Sequence, residues 1–154
     1  MRQPSSPLTE VCANLNREEA RYLVVGARAL QLWGSTRATR DIDILIDATV
    51  ENAARVLRAL SRLGLGLARE WLAEDIVAKP VTIIGDMPQV DILTIAWTVR
   101  YADAARRSTT FTVEGVAVPT IGIADLIASK RTGRLQDAAD IEVLEEIARL
   151  RGLA

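Results

Sequence analysis

The sequence predicts a single α+β domain, and three observations carry that reading. Five or six short strand-like runs are mixed with five stretches of helical apolar spacing. The 154 residues, 49% hydrophobic, suffice for one core. No repeat, low-complexity tract or interdomain linker divides the chain, so the domain is taken as residues 1–154 with a core from about 20 to 145.

The elements follow in order. Leu8 to Asn16 reads as a short helix with Leu8, Val11 and Leu15 facing inward. Arg21 to Val25 is a strand that breaks on Gly26, and Gly26 to Trp33 is a helix with Ala29, Leu30 and Trp33 as its stripe. Gly34 to Arg40 is a polar loop, and Asp41 to Ile46 is the second strand. Asp47 to Thr49 supplies cap residues for a helix from about Val50 to Leu63. Leu65-Gly66-Leu67 reads as an ambiguous strand edge. Val81 to Ile84 and Gln89 to Leu93 are strands around a Gly85–Pro88 turn. Arg100 to Arg107 reads as helix, Thr109 to Val113 and Val116 to Val118 as a hairpin about Glu114-Gly115. Ile121 to Thr132 and Leu135 to Leu150 are two helices parted by Gly133.

Composition excludes several kinds of chemistry. The chain has no histidine, which removes Ser-His and Cys-His catalysis and His-ligated zinc. One cysteine, Cys12, excludes an internal disulfide, and the simple expectation is a cytoplasmic protein. Any metal must then be held by oxygen, which favours Mg²⁺ or Mn²⁺. No window approaches the roughly 18 apolar residues of a membrane span, and Met1 to Pro7 lack the basic-then-apolar order of a signal peptide. A net charge of −1, 4% aromatic content and no recognition-helix signature argue against sequence-specific DNA binding.

The acidic strand is the most informative segment. In Asp41-Ile42-Asp43-Ile44-Leu45-Ile46 the isoleucines take one face and both aspartates the other. Two carboxylates at i and i+2 stand roughly 6.5 Å apart at their α-carbons. Such a pair repels unless neutralised, and a divalent cation commonly neutralises it. The bland alternative is the solvated face of an edge strand. Asp91, in Val90-Asp91-Ile92, is either a third acid or a plain exposed strand residue. Asp47 reads as a helix cap rather than a ligand.

Gly26-Ala27, a thirteen-residue spacer and Asp41-Ile42-Asp43-Ile44 resemble the signature of the polymerase-beta-like nucleotidyltransferase superfamily, with Asp91 as the third acid. The run Gly34-Ser35-Thr36-Arg37-Ala38-Thr39-Arg40-Asp41-Ile42-Asp43 is similar to the Gly-x-x-Arg-x-Thr-x-Asp-x-Asp segment of AbiEii-like nucleotidyltransferases. Asp125 to Lys130 and Arg134 to Asp140 also look like that group. The resemblance implies a mixed β-sheet flanked by helices, and transfer of a nucleoside monophosphate from an NTP to a hydroxyl of RNA, protein or a small molecule. It also implies a place in a toxin–antitoxin or phage-defence pair.

Two bridging metal ions suit that chemistry, since they acidify the attacking hydroxyl and stabilise departing pyrophosphate. Asp41, Asp43 and Asp91 are the expected metal ligands and catalytic acids, with Asp91 nearest to take the acceptor proton. Gly26 would let the triphosphate approach the backbone, and the helix beginning there would offer it amides. Ala27, Arg37, Thr39, Arg40 and Lys130 complete the expected nucleotide-binding set. Arg37 and Arg40 either bind phosphate or balance charge. Thr39 either bonds the loop backbone or orients Asp41. Lys130 is either a solvated helix lysine or a substrate contact. Asp137 and Asp140 are expected to be salt-bridge partners of Arg134 or Arg131. Trp33, Trp71 and Trp97 are core or half-buried residues, one of which could stack on a base.

Two departures from the pattern bear on function. Ala27 stands where glycine or serine is frequent, and its methyl cannot hydrogen-bond a phosphate. Larger AbiEii-like toxins add a C-terminal region, for which little length follows here. A compact enzyme, one half of an oligomeric site and a nucleotide- or partner-binding module without turnover are therefore all open readings, as is a ligand-free dimerisation domain.

Overall fold

Pro7 can open a helix because its missing amide falls where no intrahelical acceptor exists. A computed structural model describes residues 6–153, so most of the stretch inspected for a signal peptide lies outside the described residues. Helix α1 (Pro7–Arg17) is capped by Ser6, whose side chain accepts the Thr9 amide. Its Leu8, Val11, Cys12 and Leu15 are buried. Strand β1 (Tyr22–Val25) is buried at every position, the pattern of a central strand covered on both faces. Helix α2 (Gly26–Trp33) follows with no linker. After the loop comes β2 (Ile42–Ile46), which starts one residue later than expected.

Helix α3 (Val50–Leu60) is capped by Thr49 and stops short of Leu63. Beyond it Gly64 and Gly66 adopt φ of 54° and 71°, a left-handed conformation that breaks the helix. Leu65-Gly66-Leu67 is not a strand edge; Leu67–Glu70 is a 3₁₀ turn. Helix α4 (Ala73–Val77) was not expected; five residues carry too little periodicity to register.

Strands β3 (Val81–Ile84) and β4 (Val90–Leu93) flank a turn held by Asp86, whose carboxylate accepts the amides of Leu65, Leu67 and Met87. Helix α5 (Tyr101–Ala104) runs into a 3₁₀ turn ending at Arg107. The hairpin of β5 (Thr109–Val113) and β6 (Val116–Thr120) continues through Pro119, because Thr120 pairs with Val24 of β1. Helices α6 (Ile123–Ser129) and α7 (Leu135–Leu150) close the chain. The first begins after Gly122, where a Cβ would lie 2.4 Å from the Arg107 carbonyl oxygen.

The six strands form one mixed sheet in the order β3-β4-β2-β1-β6-β5. β2 is antiparallel to β1 and parallel to β4, so the acidic strand lies in the middle of the sheet and not at an edge. Helices flank it: α1 packs on α3 and β6, and α2 packs on β2, α6 and α7. The result is an α+β single domain with a mixed sheet flanked by helices. Among the described residues no helix is long and apolar enough to cross a membrane.

Asn52 fastens the two central strands. Its fully buried side chain accepts the Arg21 amide at 2.7 Å and donates to the Arg21 and Asp47 carbonyls at 2.9 Å each. It thereby holds the start of β1 against the end of β2. Asn52→Ala strips partners from these backbone groups and should cost about 1–3 kcal/mol, read as a lower urea midpoint with unchanged slope.

Candidate active site

The site is built by strand register. β2 and β4 are parallel neighbours with Asp43 opposite Asp91, so both side chains leave the same face from strands roughly 4.8 Å apart. On the other side of β2, Asp43 faces Val25, the last residue of β1. Gly26 comes next, with φ of 65°.

The expected reason for Gly26 was phosphate approach. The structure supplies a nearer one: a Cβ there would lie 2.2 Å from Asp43 Oδ2. The Asp43 carboxylate already fills the space a side chain would take. Glycine at this position is therefore demanded twice, by the left-handed backbone and by the acid.

Asp43 Oδ1 is buried without a hydrogen-bond partner. The carboxyl is pushed up to about 7, chiefly by burial and then by the neighbouring Asp91. The Asp41 charge adds to the rise, and Lys130 offsets only part of it. Asp91 Oδ1 accepts Gln89 Nε2 at 3.0 Å. An orphaned buried carboxylate oxygen beside a second carboxylate fits a hard divalent cation.

Asp41 precedes β2 and is exposed. It lines the same cavity as Asp43 and Asp91 but stands apart from them. Among the described residues, no three acidic, histidine or cysteine side chains are drawn together into a ready-made metal cage. The structure brings Asp43 and Asp91 together and leaves Asp41 at the rim.

The cations around the site are committed to other acids. Lys130, at the end of α6, is 8% exposed rather than solvated. Its Nζ lies 2.9 Å from Asp140 and 3.7 Å from Asp137, both buried on α7. Asp137 also accepts from Arg134 Nε at 2.8 Å and from Thr132. Asp140 is ion-paired with Arg37 from the loop before β2. The expectation that these two aspartates serve only Arg134 or Arg131 is thus too narrow: they anchor Lys130 and Arg37 beside the acid pair. Sequence gives little sign of this, because the partners lie on three separate segments.

Ala27 lines the cavity in the first turn of α2, where no side chain caps the helix. Thr39 borders it too and, among the described residues, bonds neither Asp41 nor the loop backbone. Arg40 is exposed and faces an adjoining groove of about 630 Å³ with Arg28.

Two cavities meet at Asp43, Gly26, Lys130, Arg134 and Asp137. One, about 280 Å³, opens toward Arg37, Asp41 and Asp91. The other, about 200 Å³, opens toward Leu93, Trp97, Ser129 and Thr132. Together they reach the roughly 300–1,000 Å³ of small-molecule sites.

No protein-family model matches the sequence, and neither does any curated protein sequence. Solved structures do share the fold. A candidate nucleotidyltransferase from Thermotoga maritima superposes with a TM-score of 0.53 at 18% identity, covering 94% of this chain and 88% of that one. An antigenic nucleotidyltransferase-like protein from Paracoccidioides brasiliensis gives 0.59 at 16%, covering 93% and 74%. The chain has the nucleotidyltransferase fold.

Two predictions follow from the packing of Asp43. Gly26→Ala should destabilise the wild type more than it does an Asp43→Ala background. There the 2.2 Å clash is gone and only the backbone cost remains; a double-mutant cycle of urea midpoints reads a coupling of about 1 kcal/mol or more. The second concerns pH. A carboxyl raised from 3.8 to about 7 favours the neutral form in the folded state. Its stabilising contribution is full below about pH 4 and is lost as pH rises to about 7. In chelator, Asp43→Asn should raise Tm above wild type at pH 8 and confer no gain at pH 4.

Proposed function

We propose that this chain is a metal-dependent nucleotidyltransferase of the AbiEii-like group, moving a nucleoside monophosphate from an NTP to a hydroxyl and releasing pyrophosphate. The observation that carries the reading is the in-register Asp43–Asp91 pair with an unpartnered, buried Asp43 oxygen. Asp43 and Asp91 would hold Mg²⁺ or Mn²⁺, with Asp41 joining from the rim; the bound ions would polarise the α-phosphate and acidify the attacking hydroxyl. Arg134, 77% exposed at its side chain, has the reach to meet phosphate oxygens. Lys130 and Arg37, pinned by Asp137 and Asp140, set the positive wall of the site. The first amides of α2 add partial positive charge beside Ala27. Asp91 is the acid nearest to accept the proton of the incoming hydroxyl. The acceptor class is RNA, protein or a small molecule, and the biological setting is a toxin–antitoxin or phage-defence pair in the cytoplasm.

A second reading has a specific observation behind it. Asp41 lies outside β2, exposed, and Ala27 brings no hydroxyl to the phosphate. Both suit a module of the same fold that binds nucleotide without turnover.

A thermal-shift screen of the four NTPs with Mg²⁺ and Mn²⁺, followed by a pyrophosphate-release assay over RNA, protein and small-molecule acceptors, separates the readings. The enzyme reading expects a metal-dependent rise in Tm and release that Asp43→Asn, Asp91→Asn and Asp41→Asn each lower by at least about 100-fold. Binding without release favours the module. No shift with any NTP would sink both.

A further inference from the structure

Of the three tryptophans, two are accounted for by the fold. Trp33 is buried, donates Nε1–H to the Ile121 carbonyl at 2.9 Å and packs edge-on against Phe111. Trp71 lies under Lys79, 5.3 Å from the ring centroid. Trp97 is different. It is 56% exposed and, among the described residues, its indole N–H has no hydrogen-bond partner.

Its backbone is also unusual. Trp97 and Thr98 form a two-residue turn closed by reciprocal hydrogen bonds between Ala96 and Val99, at 2.9 and 3.0 Å. Trp97 takes φ of 59° there. Glycine is the residue favoured at such a position, and a bulky aromatic pays for holding it. Strain of this kind in a bulky side chain points to a role beyond folding.

The location supplies the role. The turn follows β4, the strand carrying Asp91, after two intervening residues, and Trp97 walls the cavity of about 200 Å³ that meets the acid pair at Asp43. A nucleotide with its phosphates at Asp43 can direct its base into the groove of about 630 Å³ beyond Asp41, which has no aromatic wall, or into one of the two cavities that meet at Asp43. The larger of those two is lined by charged and polar groups and has no aromatic wall. The smaller is lined by Trp97, itself 56% exposed, together with Ser129 and Thr132.

We infer that Trp97 is the stacking platform for the nucleobase of the bound NTP. The inference rests on the nucleotide reading above and names the residue that grips the base end of the substrate. Stacking tolerates any base, because each presents a π face. Trp97 should therefore raise affinity for nucleotides over bare polyphosphate without imposing strong choice among the four.

The test uses Mg²⁺ and the four NTPs, with inorganic tripolyphosphate as the base-free probe, against wild type, Trp97→Leu and Trp97→Gly. Wild type should show quenched tryptophan fluorescence with NTP and little quenching with tripolyphosphate. Both variants should lose the quenching and bind NTP about ten- to hundredfold more weakly, with tripolyphosphate affinity unchanged. Trp97→Gly, relieved of its backbone conformation, should melt no lower than wild type. Variants that bind NTP within about twofold of a binding-competent wild type would overturn the platform and leave the nucleotide site standing. A Trp97→Gly protein melting well below wild type at unaltered NTP affinity would make the indole a packing residue. Failure of wild type to bind any NTP would overturn the nucleotide reading itself.

Discussion

One carboxylate organises this molecule: Asp43, pressed into the space where residue 26 has no side chain. Its burial is not a by-product of the sheet. Strand β2 lies between β1 and β4, so a side chain leaving its polar face near the end of β1 meets the start of α2 on one side and Asp91 on the other. Gly26 allows the β1-to-α2 turn to pass close enough to touch the acid. The helix N-terminus is thereby brought to the carboxylate it would favour electrostatically. A glycine, a helix start and two aspartates are thus one packing solution.

The same geometry sets the energetics. Burial and a neighbouring acid disfavour the charged Asp43, and the fold tolerates this because the core is elsewhere well formed. Ile42, Ile44 and Ile46 are fully buried on the opposite face, and β1 is buried throughout. The apolar face of β2 provides stabilisation while its acidic face detracts from it, a division common at sites where function opposes stability.

Much of this was legible in the sequence, and the remainder was hidden for identifiable reasons. Alternation in Ile42–Ile46 reveals the acidic strand, and Gly26 marks the break after β1, while its contact with Asp43 is visible only in the structure. Both signals are local, within about twenty residues. The pairing of Asp43 with Asp91 spans two strands and could only be proposed. Lys130 looked like an ordinary helix lysine because its partners, Asp137 and Asp140, lie beyond the Gly133 break on another helix. Arg37 meets Asp140 from 103 residues away. Trp97 was one of three equivalent aromatics until its turn conformation and cavity distinguished it. Helix α4 was missed because five residues between glycine-rich and proline-bounded segments hold barely more than one turn.

The cation network explains why the acid pair stays unneutralised by side chains. Lys130 is close enough to lower Asp43, yet burial, Asp91 and Asp41 all outweigh it. Its ammonium sits between Asp137 and Asp140, and Arg37 is held by the same Asp140. A buried lysine held between two buried carboxylates cannot turn toward a third without giving up both of those contacts, while Arg134 and Arg37 hold Asp137 and Asp140 in place around it. The protein therefore fixes positive charge at the wall of the cleft while keeping it from collapsing onto Asp43 and Asp91. A cleft so arranged has room for both an incoming cation at the acids and an incoming polyanion along the wall. That separation of like and unlike charge, enforced by α7, is what distinguishes this site from an ordinary surface salt-bridge cluster.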